Sequence, residues 1–205
     1  MIGYIDMRYI IARVLEGDMT AIRRFVLLIG LLGAALAVTG ALAAQSLAGG
    51  AHQASANIVD AAGATVGWAR LVEDGSGIVH VNVHVSGLTP GLHGIHIHGI
   101  AACGPTFAAA GGHFNPLART HGLLSSTGAH AGDLPNLSVN ADGVGHLNAT
   151  TDRVTLQNGP TTLFDTTAGA VGSSFIIHAN EDDQVTDATN GGSGGRIACG
   201  VIVAG

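Results

Sequence analysis

Lysine is missing from all 205 residues, and eight arginines are the only permanently positive side chains. Nucleic-acid phosphates are bound by clustered Lys and Arg, so this shortage and a formal net charge of -6 exclude a nucleic-acid partner. Charged residues amount to only 11%, and no amphipathic-helix pattern runs through the chain after residue 56. There is no His-Glu-x-x-His motif, and beyond residue 44 the only glutamates are Glu73 and Glu181. A zinc hydrolase, which needs an open zinc beside a Glu base, is thereby set aside. Cysteine is limited to Cys103 and Cys199, which pair with each other or stay as two buried thiols. The length allows one domain and a targeting segment, with no room for a second large core.

What the chain has in plenty is glycine, 32 residues of it, with valine and threonine also frequent. That composition favours short strands and turns over helices. Thr65–Glu73 lies between Gly63 and Asp74-Gly75. Ile78–Val85 alternates, with Val79, Val81, Val83 and Val85 on one face and His80, Asn82 and His84 on the other. This is the period of a half-buried antiparallel strand. Gly91–His98, Ser173–His178 and Ile197–Val203 read as further strands, and Leu137–Asn140 with Gly145–Thr151 as a hairpin around Asp142-Gly143. The strand count comes near eight. The expected fold is all-β, an eight-stranded antiparallel Greek-key barrel or sandwich over residues 56–205. Two long loops, Gly99–Gly132 and Ala179–Gly195, show no strand pattern and too little apolar content to pack themselves. Metal ligands and a disulfide are the expected ties.

Ahead of this domain, Arg23 and Arg24 precede the uncharged run Phe25–Ala44, which ends in small residues at alternate positions. A basic region, an apolar region and a small-residue exit make a secretory signal peptide. An uncleaved membrane anchor across 25–44 is the rival, disfavoured because the run is rich in Ala and Gly. Asp6, Glu16 and Asp18 are foreign to such a leader, so translation is expected to begin at Met19. Residues 45–55 read as a flexible tether. The protein is then expected outside the cytoplasm, whether periplasmic, secreted or membrane-anchored, where its cysteines meet oxidising conditions.

Eleven histidines are present, and their placement is uneven. His96 and His98, two apart on a strand, leave the same face and can share one ion. His178 ends the apolar strand Phe175-Ile176-Ile177 in a comparable position. His113 lies in Gly111-Gly112-His113-Phe114-Asn115-Pro116, where glycine lets backbone approach a site closely. His121 follows, and His130 and Asp133 come three apart. Three imidazoles and one carboxylate make a tetrahedral zinc set, and imidazole clusters without thiolate suit copper, zinc, iron or nickel.

The segments that carry the family pattern are Gly91-Leu92-His93-Gly94-Ile95-His96-Ile97-His98, Gly112-His113-Phe114-Asn115-Pro116 with His121, His130-Ala131-Gly132-Asp133, and Gly195-Arg196-Ile197-Ala198-Cys199-Gly200-Val201-Ile202. On these the chain resembles the copper/zinc superoxide dismutase family over about residues 56–204. The resemblance implies one copper per chain on His96, His98, His113 and His178. It implies one zinc on His113, His121, His130 and Asp133, with His113 shared between the metals. Asp182 would link a ligand on each metal, Arg196 would attract and position superoxide, and His113 would deliver a proton. Cys103 and Cys199 would form the disulfide. The implied reaction is disproportionation of superoxide to dioxygen and hydrogen peroxide by a copper redox cycle, with structural zinc, in antioxidant defence outside the cytoplasm.

The other histidines read differently. His93 matches a structural histidine that bonds backbone, and His80, His84 and His146 read as solvent-facing strand residues. His80 with His84 would be at most an adventitious surface metal pair. Arg119 reads as a brace for the zinc loop. The early Cys103 looks like the bacterial exported branch, and because dimer geometry differs between branches a homodimer stays open. The rival from another class is a dismutase-like domain that stores or hands over metal without turnover. Such domains lack a copper ligand or the arginine, and this chain keeps all of them.

Overall fold

The computed structural model describes residues 52–164 and 172–205, so the expected signal or anchor segment at 25–44, the Met19 start and residues 45–51 lie outside it. Among the described residues no helix is long and apolar enough to cross a membrane. Ten strands form among the described residues, all pairing antiparallel. They are β1 His52–Asp60, β2 Thr65–Glu73, β3 Val79–Val85, β4 Gly91–His93, β5 Ile95–His98, β6 Leu137–Val139, β7 Gly145–Thr151, β8 Ser174–His178, β9 Arg196–Val201 and β10 Val203–Ala204.

Their order in the sheet is β4-β6-β7-β3-β2-β1-β9-β8-β5, with β10 beside β1. The first and last strands of that order are consecutive in the chain, joined only by Gly94. One bent segment therefore serves both ends of the sheet, which wraps into the expected barrel. The chain leaves β3, passes over the places later filled by β7 and β6, and lands in β4, the long return of a Greek key.

Three hairpin turns share one device. Asp60, Asp74 and Asn140 each accept two backbone N–H groups further round the turn through a single Oδ1. Three residues on, Gly63, Gly77 and Gly143 take positive φ angles of 82°, 82° and 76°. The short acceptor folds the chain back and the glycine permits the left-handed step. Between turns, alternate residues point inward, and Ile58, Leu71, Val79, Val81, Val85, Ile95, Ile97, Phe175 and Ile177 are fully buried in one core. On β5 this alternation sends Ile95 and Ile97 inward and leaves His96 and His98 on the outer wall, where the long loops cover them.

The boundaries differ from the expected ones in three places, one of them Ile197–Val203, which divides at Ile202 into β9 and β10. β1 begins at His52, so residues 52–55 of the segment read as a tether belong to the sheet. Its inward residues are Ala54, Ala56 and Ile58, and alanine is a weak strand former, so pairing with β2 and β9 imposes the strand. Gly91–His98 is broken at Gly94, whose N–H donates to the Asn180 carbonyl (2.8 Å) while its own carbonyl accepts from His178 N (2.8 Å). A Cβ at that corner would sit 2.7 Å from Ser193 Cβ.

Glu73, at the end of β2, is 3% exposed. Its carboxylate accepts from Leu156 N (2.6 Å), Thr155 Oγ1 (2.9 Å) and Gln157 Nε2 (3.0 Å), pinning that loop to the barrel. Burial alone would raise its pKa, but the Leu156, Gln157 and Thr155 donors together hold it below the ordinary value. A carboxyl lowered on folding adds stability above its unfolded pKa of about 4.3, and that stability is lost as pH falls through the folded value. Glu73→Gln is expected to cost about 1–3 kcal/mol at pH 7. The gap to the parent protein should close in more acid solution, read by denaturant unfolding at both pH values. A gap independent of pH would count against this account.

Candidate metal centre

The outer edge of β5 is met by loop backbone rather than by a strand. Phe114 N donates to Ile97 O (2.8 Å), Ile97 N to Gly132 O (2.8 Å), and Gly99 N to Gly112 O (3.0 Å). These contacts set His98 opposite His113 and His96 opposite Asp133. The approach needs glycine at 132, where a Cβ would lie 2.1 Å from the Ile97 carbonyl oxygen. On the other side, Ala179 N donates to Gly195 O and Asn180 N to Ser193 O, both at 2.8 Å, folding the second loop over His178. All six histidines singled out in the sequence meet at this wall.

His96, His98, His113 and His178 each offer a ligand atom within 4.8 Å of the others. Their far nitrogens are committed to the protein. His96 Nε2 donates to Asp182 Oδ2 (2.6 Å), His98 Nδ1 to the Gly111 carbonyl (2.9 Å) and His178 Nδ1 to the Gly194 carbonyl (3.0 Å). Each such bond fixes the tautomer and leaves a lone pair on the other nitrogen. His96 Nδ1, His98 Nε2, His113 Nε2 and His178 Nε2 are all buried without a hydrogen-bond partner among the described residues. An unsatisfied buried polar atom costs about 1–3 kcal/mol, so four together call for something that accepts lone pairs. Burial lowers the pKa of His96 and His178 to about 4 and of His98 to about 2, and lowers His113 too. The rings are thus neutral at pH 7, as ligands must be. The donor set fits copper.

His113 turns its other nitrogen to a second cluster. Asp133 Oδ1 lies 3.0 Å from His113 Nδ1, 3.2 Å from His121 Nδ1 and 3.4 Å from His130 Nδ1. His130 Nδ1 is also 3.2 Å from His113 Nδ1. Distance alone also groups His96 with His113, His121 and Asp133. His96, however, spends Nε2 on Asp182 and keeps Nδ1 unpaired, whereas His130 presents Nδ1 directly to the others, so His130 is the better fourth donor. Three imidazoles and a carboxylate suit zinc.

The carboxylates hold this arrangement. Asp133 is fully buried, and its Oδ2 accepts from Gly122 N (2.8 Å) and His130 N (3.0 Å). Burial would raise its pKa, but bonds from His113, His121 and His130 keep it far below the carboxylate range. Burial pulls His121 down, yet Asp133 and Asp182 outweigh it and raise that ring to about 10. The Asp182 carboxylate spans the two clusters, 2.6 Å from His96 Nε2 and 3.0 Å from His121 Nε2. Asn136 clamps the Asp182 backbone through a reciprocal pair, Nδ2 to its carbonyl (2.8 Å) and its N–H to Oδ1 (2.9 Å).

Arg196 is half-buried on β9, opposite His178. Its guanidinium donates to the Phe107 and Gly111 carbonyls, both at 2.6 Å. The Gly111 carbonyl also accepts from His98, so one oxygen fixes arginine and ligand relative to each other. Cys103 and Cys199 form a disulfide that ties the first loop to β9. His93 Nδ1 lies 2.7 Å from the His178 carbonyl oxygen and Nε2 lies 2.8 Å from that of Thr89, the backbone role expected. Arg119 braces its loop through main chain, its N–H and carbonyl both bonded to the Asn115 side chain. His80 and His84, read as solvent-facing strand residues and at most an adventitious metal pair, do not pair with each other, because His80 turns to Asp74 (3.0 Å) and His84 to His146. Sequence reasoning missed Asn136 and the carbonyls of Gly111 and Gly194, and the only hint of them was the glycine spacing.

A family model described as copper/zinc superoxide dismutase matches residues 65–202. A protein of Mesembryanthemum crystallinum named copper-zinc superoxide dismutase 2 is 35% identical over 141 residues, covering 66% of this chain and 85% of its own length. One of the same name from Aquifex aeolicus (strain VF5) is 36% identical over 176 residues, covering 84% and 96%. The crystal structure of a SOD-like protein from Bacillus subtilis superposes with a TM-score of 0.67 at 36% identity, covering 73% of this chain and 97% of that one.

Proposed function

The chain belongs to the copper/zinc superoxide dismutase family, and on that footing we propose that His96, His98, His113 and His178 hold one copper and that His113, His121, His130 and Asp133 hold one zinc. By family it is an oxidoreductase, a superoxide dismutase. The reaction we assign consumes two superoxide anions and two protons and yields dioxygen and hydrogen peroxide. The observation that carries the reading is the set of four buried, unpaired nitrogens lying beside a second cluster that shares His113. Copper bound there supplies the one-electron couple, while zinc, which is not redox-active, supplies structure and charge.

The protein's own groups do the rest. The Arg196 guanidinium, held by two carbonyls, binds the small anion and orients it beside His98. The planar fork of arginine keeps its charge at any working pH. Whenever it was not holding copper, His113 Nε2 would take up a proton from solvent and pass it to the product, while Nδ1 faces the second cluster beside Asp133. The test is a superoxide-scavenging assay on metal-free protein reloaded with zinc alone or with both metals. Activity is expected only with copper, and copper-independent activity overturns the reading.

Charge steering is an established property of superoxide dismutases. Beyond residue 44 this chain has only Arg70, Arg119, Arg153 and Arg196 against eleven acids. We expect kcat/KM to fall less with ionic strength than in lysine-rich relatives. A steep loss between low salt and about 0.15 M would contradict this.

We also infer that the enzyme works outside the cytoplasm in antioxidant defence. Support comes from the leader pattern ending at Ala44 and from a disulfide, which persists in oxidising compartments. A mature protein whose N-terminus lies ahead of residue 25 would refute cleavage.

A further inference from the structure

Histidines meet a second time on the outward wall of the barrel, away from the metal centre. Trp68 on β2, His84 on β3 and His146 on β7 stand in one row, each directly opposite the next. His84 Nδ1 and His146 Nδ1 are 3.2 Å apart, with ring centroids at 4.5 Å. The Trp68 ring lies 5.9 Å from that of His84 and is half exposed. β3 is paired over seven residues with β2 on one side and with β7 on the other, so the ladder pre-sets the separation of the two imidazoles. Two nitrogens 3.2 Å apart, each about 2.0–2.1 Å from a shared ion, subtend about 100° at it, close to the tetrahedral angle. His80, on the same face of β3, is drawn off to Asp74 and takes no part.

We propose that His84 and His146 form a surface site for one divalent first-row transition metal ion, bound through both Nδ1 atoms with water completing its coordination. Imidazole pairs of this kind take Ni²⁺, Cu²⁺ or Zn²⁺. The acidic balance of the domain favours a cation there. The site is independent of the buried clusters and of the reaction assigned to them.

Trp68 is the only tryptophan in the chain, so its emission reports on this row alone. The experiment uses the copper- and zinc-loaded protein, freed of excess metal and titrated with Ni²⁺, an open-shell ion that quenches a nearby indole. Emission should fall and saturate at one added ion per chain, and Zn²⁺, which does not quench, should restore it by competition. His84→Asn and His146→Asn should each shift the midpoint by at least about tenfold, the loss expected for one of two ligands. His80→Asn should leave it in place, and superoxide activity should be unchanged in all three. A midpoint unmoved by both ligand substitutions, or quenching that never saturates, overturns the proposal.

Discussion

Asp182→Asn is expected to weaken metal binding in both clusters at once, by roughly 10- to 100-fold in each. Asp182 is buried, and its carboxylate accepts hydrogen bonds from His96 Nε2 and His121 Nε2 as well as from Gln184 N (2.7 Å). An amide offers one acceptor oxygen and one donor NH₂ group, so it cannot serve both rings. One of them must then turn or change tautomer, which puts a proton on the nitrogen that should face a metal. Asn136 still clamps the backbone at that point, so the change acts through the carboxylate rather than the loop. Chelator competition followed by separate copper and zinc analysis measures the effect. Loss of one metal alone, with the other held as tightly as before, would show that the carboxylate does not couple the clusters.

Reducing the disulfide should cost nearly as much by a different route. Cys103 and Cys199 are 96 residues apart, and closing a loop of that length removes about 4–5 kcal/mol of unfolded-chain entropy. For a domain of this size that corresponds to a fall of roughly 10–20 °C in Tm. A second effect follows from position. The segment after Cys103 carries the Phe107 and Gly111 carbonyls that hold Arg196, so freeing it should also lower kcat/KM. Cys103→Ser with Cys199→Ser, compared with the parent protein with and without reductant, checks both readouts. An unchanged Tm after full reduction would remove the bridge from the stability account.

Spacing marked His96, His98, His113, His121, His130, His178 and Asp133 as possible metal ligands. Their division into copper and zinc sets, the sharing of His113 and the roles of Asp182 and Arg196 came only from the family resemblance, because spacing along a chain does not say which loops meet. β3 was plain, since four valines in strict alternation admit one arrangement of faces. β1 was not, because its inward residues are mostly alanine and its strand character comes from its neighbours. The break at Gly94 was hidden for a similar reason, as it depends on Asn180 and His178 arriving from far along the chain. Carbonyl acceptors such as Gly111 and Gly194 have no signature, because every residue carries a carbonyl. The surface histidines show the limit most clearly. His80 and His84 are close in sequence, but four residues along a strand span about 13 Å. His84 and His146 are 62 positions apart and become neighbours only through the register of β3 with β7.

β5 lies at the end of the strand order, and among the described residues its outer side is met by the backbone around Gly112–Phe114 and Gly132. That cover is fastened by His113 and Asp133, whose side chains sit in the clusters assigned to the metals. An uncovered strand edge is a template for pairing with the edge of another molecule. Filling the metal sites therefore does more than equip the enzyme for chemistry. Metal held there would also fasten the cover over a hydrogen-bonding edge, so full loading is expected to keep one molecule from adding its sheet to the next.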